Sequence, residues 1–400
     1  MAARAHIAML VAAAACGFAA GANAKVYTEL RPRLSLLGGL DDNVPMDGTG
    51  RDYFGRAQPG LRLDIYGDHR MHVDVDCQAS LARLGHPEKF RHVSPSDVAA
   101  GEQCAAEYSE RLSNRLQVHL QSRAGYMQDP LAISGLGLLL RPGQTHVFEG
   151  RLSGEAHLNV SPRAFWTFGL ESRALTFDAN DPGNGGYVGP YVTYAYRTTP
   201  YARWEFTGRE QLFFSFGATP ADPTKPTVPA VPAGLLTEAH TGMGGYVRRL
   251  SAVTTVTARA GASYVTGNPN AAVEPIARFE LESVLRDYAV HLIAMHDLSI
   301  GATRAGALGL DIAEADLMGR LGKFESHVRA GVYRNTAVGN FFQRGALGYG
   351  TELDVDYRIA KEWTVGFAAA RDARLTDTTV TQNVDRDVVQ LRVTWERARN

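Results

Sequence analysis

A chain of 400 residues with 41 basic and 42 acidic side chains, and so a formal net charge of −1, offers no basic face for nucleic acid, which is not an expected partner. Beyond the first two dozen residues no apolar run approaches the roughly 18 residues of a membrane-spanning helix, which excludes a helical membrane bundle. A segment of this chain that crosses a membrane has to do so as strands of a closed barrel.

The N-terminus reads as a secretory signal, with Arg4 as its positive end, Ile7 to Ala20 as its apolar stretch and Ala22-Asn23-Ala24 as its cleavage site. Residues 1–24 are therefore expected to be removed, and 25–400 to form the working domain. Of three cysteines, Cys16 leaves with the signal, so Cys77 and Cys104 remain as an even pair in an exported chain. They are candidates for one disulfide, the alternative being two unrelated buried thiols.

Alternation starts at once: Val26, Thr28, Leu30, Leu34 and Leu36 share one parity, Glu29, Arg31, Arg33 and Ser35 the other. Strand side chains point to opposite faces in turn, so this is expected to be a strand with one apolar and one polar face, with no plug domain expected before it. Gly38 to Tyr53 reads as a polar loop, and its Asp41-Asp42-Asn43 cluster, with Asp47 and Asp52, as a solvated turn in place of a calcium loop, because a full set of oxygen ligands is missing. Further strands set Leu61, Leu63 and Ile65 against Arg62 and Asp64, Val73 and Val75 against His72, Asp74 and Asp76, and Leu116, Val118 and Leu120 against Arg115, His119 and Arg123.

Thr145 to Phe177 is the clearest hairpin. Phe148, Leu152 and Leu158 oppose Glu149, Arg151, Glu155 and His157; after the turn Ser161-Pro162-Arg163, Trp166, Phe168 and Leu170 oppose Glu171 and Arg173. Tyr187 to Thr207 reads as one long strand interrupted by Pro200, followed by a turn at Gly208-Arg209-Glu210. Ala305 to Leu321 changes parity midway, which predicts a bulge or kink. Near the end, Leu353, Val355 and Tyr357 oppose Glu352, Asp354 and Asp356, and Val389, Leu391, Val393 and Trp395 oppose Arg392 and Glu396.

Short polar turns recur every roughly 36 to 48 residues, alternating with longer polar links, a period of two strands. The count is about 18 strands, within 16–18. Short turns at one end, longer loops at the other and an even number of strands predict an all-β, transmembrane, antiparallel up-and-down barrel of the Gram-negative outer membrane, short turns periplasmic and long loops extracellular. Phe165, Trp166, Phe168, Phe213, Phe214, Tyr288, Phe324, Tyr357, Trp363 and Trp395 are expected to form an aromatic girdle beside the short turns. The expected partners are outer-membrane lipid, the barrel-assembly machinery and a polar solute or polysaccharide.

The charged parity is expected to line the lumen: Arg31, Arg33, Arg62, Asp64, Asp74, Asp76, Arg115, His119, Arg123, Glu149, Arg151, Glu155, His157, Glu171, Arg173, Glu352, Asp354, Asp356 and Arg392. Both signs are interleaved, which suits hydrated polar solutes better than a strongly ion-selective pore. Met127 to Gln144 carries Leu131, Ile133, Leu136 and Leu139 in a Gly/Pro setting, so it is the candidate constriction loop, an extension of the strand being the alternative. The histidines show no metal-ligand spacing, a catalytic elbow or zinc-helix motif is lacking, and no metal, cofactor or enzymatic activity is expected. Two function classes stay open: a channel, or a non-conducting structural or receptor barrel whose loops bind a partner.

The opening strand running into Leu40-Asp41-Asp42-Asn43-Val44, followed by hairpins to the end, resembles the porin-like barrels found with exopolysaccharide and exosortase systems. The resemblance covers the layout of nearly all of 25–400, with the Asp-Asp-Asn turn as its motif. It implies a conduit or accessory barrel for polymer secretion, working with periplasmic export proteins. Leu40 stands where such turns often follow a Tyr, and the chain ends in Glu396-Arg397-Ala398-Arg399-Asn400 in place of a terminal aromatic, which leaves Val393 and Trp395 to serve as the assembly signal.

Overall fold

The structure is a computed structural model and describes residues 26–42, 51–67, 70–86, 98–127, 147–176, 185–216, 234–267, 271–300, 307–338, 346–376 and 384–397. The signal segment 1–24, Asn43, Asp47 and the constriction-loop candidates Leu131, Ile133, Leu136 and Leu139 lie outside the described residues.

Strands β1 (Tyr27–Asp41), β2 (Asp52–Gly67), β3 (Met71–Leu84), β4 (Val98–Glu110), β5 (Leu116–Met127) and β6 (Val147–Asn159) form the first third of the wall. The middle third holds β7 (Ala164–Thr176), β8 (Gly185–Thr199), β9 (Ala202–Ser215), β10 (Gly234–Arg249), β11 (Thr254–Gly267) and β12 (Ala272–Val284). It is completed by β13 (Tyr288–Ile300), β14 (Ala307–Leu321), β15 (Phe324–Ala337), β16 (Ala346–Arg358), β17 (Trp363–Thr376) and β18 (Val384–Glu396). Each strand pairs antiparallel with its sequence neighbours and β1 pairs with β18, which closes an 18-stranded up-and-down barrel.

One contact identifies the inner face. Arg209 on β9 bonds Asp297 on β13, four strands further round the ring, and side chains so placed meet only through the interior. Following that parity strand by strand puts the charged faces inside and most of the leucines, phenylalanines and tryptophans outside.

The ring is stapled where its ends meet. The β1–β18 ladder runs for 9 rungs, from Arg33↔Glu396 to Asp41↔Val388, against 15 for β1–β2. At its last rung Asp41 accepts a 2.8 Å bond from Arg386, both side chains buried, and just beyond it the Asp42 carboxylate accepts one of 2.7 Å from the amide of Asp387. Ser35 and Thr394 share a hydroxyl contact of 2.9 Å midway, and Arg31 reaches Glu396 at 3.3 Å near the other end. Gly39 is required here, because a Cβ would meet the carbonyl of Val389 and the ring of Phe54. The Asp-Asp turn is therefore not solvated: Asp41 is fully buried, and Asp52, also buried, accepts a 2.8 Å contact from His86. An unpaired acid at the end of a seam would be expensive to bury, and a guanidinium opposite removes that penalty.

Two predicted elements move. The Tyr187 to Thr207 stretch is two strands, β8 and β9, joined at Pro200-Tyr201, and Gly208-Arg209-Glu210 lies within β9. Proline has no N–H for the ladder, and the turn is held by Tyr201 N–H donating to the Thr199 hydroxyl at 3.2 Å. No bulge interrupts the described part of Ala305 to Leu321, since β14 runs in unbroken register with both β13 and β15. Its parities mix because Ala307, Leu308 and Leu310 are all buried, so both faces of that end are covered. The aromatic girdle changes accordingly. Trp166, Phe168, Tyr288, Phe324, Tyr357 and Trp363 are exposed near short turns, Tyr196 and Trp204 join them, and Phe165 and Phe213 are buried inside.

Cys77 and Cys104 face each other across β3 and β4 and are disulfide-bonded, with their Cα atoms 4.1 Å apart. That bond leaves no thiol on 25–400. After unfolding without reductant, a maleimide probe is expected to label neither cysteine, and to label both once a reductant is added.

Candidate functional site

The interior is a web of ion pairs laid down by period-two alternation on neighbouring strands. Arg31 holds Asp64 at 2.5 Å, Arg62 holds Asp74 at 2.6 Å, and Arg33 reaches over β2 to Asp76 at 2.8 Å. Glu149 is shared by Arg151 at 2.6 Å and Arg173 at 2.8 Å, Tyr191 donates to Glu155, and His157 contacts Thr167 at 3.2 Å. Arg123 donates to Gln103 at 3.0 Å and His119 stands 3.9 Å from Glu107. Across β17, Arg392 bonds Asp354 at 3.0 Å and Asp356 at 2.8 Å, while Glu352 sits on the rung of Arg329, which bonds Glu314 at 2.8 Å. Glu171, with Arg123, Arg151 and Arg173, lines a cavity of about 540 Å³ bounded by β3 to β8. Arg115 differs from the rest: it lies in the turn before β5, exposed, and its amide donates to Ser113 at 3.2 Å.

The inner face of β9 records a sequence of layers. From the short-turn end these are Arg203, then Glu205 bonded by Arg203 and Arg259 at 2.7 Å each, then Arg209, then Gln211 and Phe213, both fully buried. Arg209 grips Asp297 through both terminal nitrogens, one at 3.1 Å, and Asp297 also accepts the amide of Leu298 at 2.7 Å. Planar guanidinium and carboxylate match in this two-point geometry, the stronger form of the pair. Beyond the clasp, Leu175, Phe213, Ala239, Val265, Ile276, Leu298, Ala307 and Val338 form an apolar cluster with Tyr187, Met243, Ala272 and Tyr333 against it.

The wall is bent to make this contact. The β12–β13 ladder stops at Ala277↔His296, although β13 continues to Ile300 and β12 begins at Ala272. Pro275 lies two residues beyond that rung and has no N–H with which to continue the ladder. Freed from β12, the long-loop end of β13 leans inward, taking β14 with it, and β13 comes within 8 Å of β8, five positions away round the ring. The interior is thereby divided into a lobe under β8 to β12, filled at its long-loop end, and a second lobe that includes the β3–β8 cavity. Among the described residues the wall itself thus narrows the interior, at residues that a turn assignment at Gly208-Arg209-Glu210 conceals.

Among the described residues Asp64, His72 and Asp74 each place one ligand atom within 4.8 Å of the others. They sit on two strands, so sequence spacing does not reveal them. Arg31 and Arg62 already neutralise both carboxylates and the ring of Tyr66 stacks on His72 at 4.7 Å, while His72 Nε2, 3.7 Å from Asp64, is buried without a hydrogen bond.

No known family matches the sequence, and no curated protein matches it. The fold is similar to solved outer-membrane proteins: a BenF-like porin of Pseudomonas fluorescens (9% identity, TM-score 0.46, covering 94% of this chain and 99% of that one) and OccAB3 of Acinetobacter baumannii (10%, 0.45, 92% and 99%). OpdQ of Pseudomonas aeruginosa is similar at 9% identity and a TM-score of 0.43, covering 93% of this chain and 97% of its own.

Proposed function

We propose that this barrel spans the outer membrane of a Gram-negative bacterium and passes small hydrated polar solutes along its charged interior. The carrying observation is the contrast between its faces. Large apolar side chains are exposed outward around the closed ring, from Leu30, Leu34 and Leu36 on β1 through Trp204 and Phe206 on β9 to Leu391 and Val393 on β18. In water such a surface costs about 25 cal/mol per Å²; hydrocarbon removes the cost, and ring closure leaves no backbone edge unpaired in lipid. Outer-membrane lipid, and the barrel-assembly machinery that inserts such rings, are its partners in this reading, with the short turns periplasmic.

Inside, acids and bases alternate, so hydrated solutes of either charge find partners and a strongly selective field is missing. The polymer-export reading drew on Leu40 to Val44, and Asp41 and Asp42 of that motif are engaged in closing the ring. Small solutes are therefore the better-supported cargo; one-sided block of the current by an added polysaccharide would extend the proposal to polymers and their periplasmic export proteins. A second reading has an observation of its own: the Arg209–Asp297 clasp and the apolar cluster fill one lobe, as in a non-conducting barrel.

Purified protein in planar bilayers decides between them. Discrete ohmic current steps are expected, and a silent barrel would give the second reading the field. The hairpin β6–β7 supplies the paired control. Leu152→Arg, on the exposed outer face, is expected to destabilise the fold by roughly 2–4 kcal/mol near the bilayer midplane. Arg151→Leu is expected to change conductance with less effect on folding, and the reverse pattern would mean that the faces are exchanged.

A further inference from the structure

At its short-turn end the lobe under β8 to β12 opens into a cavity of about 550 Å³, at the edge of the ion-pair web. Arg197, Arg203 and Arg249 line it with one carboxylate, Glu282. Arg203 is partly committed to Glu205, at 2.7 Å, and Arg249 holds the next turn by donating to the carbonyl of Ser251 at 3.2 Å. Arg197 has no acid partner among the described residues. Its guanidinium lies over the ring of Phe165, 5.6 Å from the centroid, beside that of Arg203 at 5.8 Å.

Arg197 and Arg203 share one rung of the β8–β9 ladder, and both guanidiniums are drawn to the same ring, so two like charges are gathered at one place. Repulsion between them is relieved by an anion placed within reach of both, and charge-assisted bonds to an oxyanion are the strong kind. Beyond the cavity the interior is crossed by Glu205 and Arg259, then by the Arg209–Asp297 clasp, then filled by the apolar cluster. A ligand therefore enters and leaves at the short-turn end.

We infer that this cavity is a binding site for a small solute carrying a carboxylate or phosphate group. Its volume falls in the range of roughly 300–1,000 Å³ typical of small-molecule sites. Because one end is filled, the site holds its ligand and does not pass it on, so the inference stands whether or not the other lobe conducts.

Equilibrium dialysis of the folded barrel in detergent, with inorganic phosphate and separately with succinate, tests this without any measurement of current. Saturable one-site binding of at least one probe is expected, weakening as salt rises. Arg197→Gln is expected to lower its affinity roughly ten- to a hundredfold, Arg197→Lys to restore part of it, and Arg249→Gln, on a different strand, to lower it as well. Arg248→Gln removes the same charge from the outer face of β10 and is expected to bind as the wild type does. No saturable binding of either probe, or equal losses in Arg197→Gln and Arg248→Gln, would overturn the inference.

Discussion

Arg386→Ala is expected to destabilise the barrel by about 3–5 kcal/mol, the cost of leaving one member of a buried ion pair without its partner. Asp41 is fully buried and its carboxylate takes bonds from two nitrogens of Arg386, Nε at 3.2 Å and Nη2 at 2.8 Å. The pair caps the last rung, Asp41↔Val388, of the β1–β18 ladder, the one seam joining strands from opposite ends of the chain. Loss therefore falls on ring closure, and an open ring exposes two strand edges. Urea titration of refolded protein in detergent, read by tryptophan fluorescence, gives the magnitude. Mobility on unheated gels reports the closed fraction. Asp41→Leu with Arg386→Met removes both charges and is expected to recover most of the loss, because an apolar pair of similar size carries no desolvation penalty. Equal stability of Arg386→Ala and wild type would show that the seam holds without this pair.

The wall was legible in the sequence because its signal is local. Alternation at period two on β1, β6, β7, β16 and β18 states which side chains share a face, and closure follows from regular turns. What escaped was anything requiring knowledge of which strands meet. Asp41 reads as a loop residue until Arg386, 345 positions later, is placed against it. Asp64, His72 and Asp74 come together only through the β2–β3 register. Arg209 was hidden more actively: flanked by Gly208 and Glu210 it imitates a turn, while the true turn at Pro200-Tyr201 sits in a run of tyrosines that looks like continuous strand. Strands β10 and β11 carried a weaker clue. Their inner parity is almost uncharged, with Thr237, Ala239, Thr241, Met243, Ser263 and Val265 where other strands carry acids and bases. An interior without charge is a packed interior, and this is where the apolar cluster lies.

The clasp makes the second large effect. In a double-mutant cycle Arg209→Ala and Asp297→Ala are expected to couple by about 1.5–3 kcal/mol, the range of a charge-assisted bond. Full burial would put it higher, but both side chains keep some water, at 11% and 18% exposure. Asp297→Ala is the more costly single change, because Asp297 retains the amide of Leu298 when Arg209 is lost, whereas Arg209 keeps no such partner. With both removed, the long-loop end of β13, already unpaired from β12 past His296, loses its tie to β9. Single-channel conductance of the double variant is then expected to exceed that of the wild type, since the inward lean of β13 narrows the interior. An unchanged conductance alongside a clear coupling energy would assign the clasp to folding alone, and would confine the path for solutes to the lobe that includes the β3–β8 cavity. Coupling near zero with raised conductance would instead mean that the inward lean is held by the apolar cluster, with Arg209 and Asp297 acting on passing ions as separate charges.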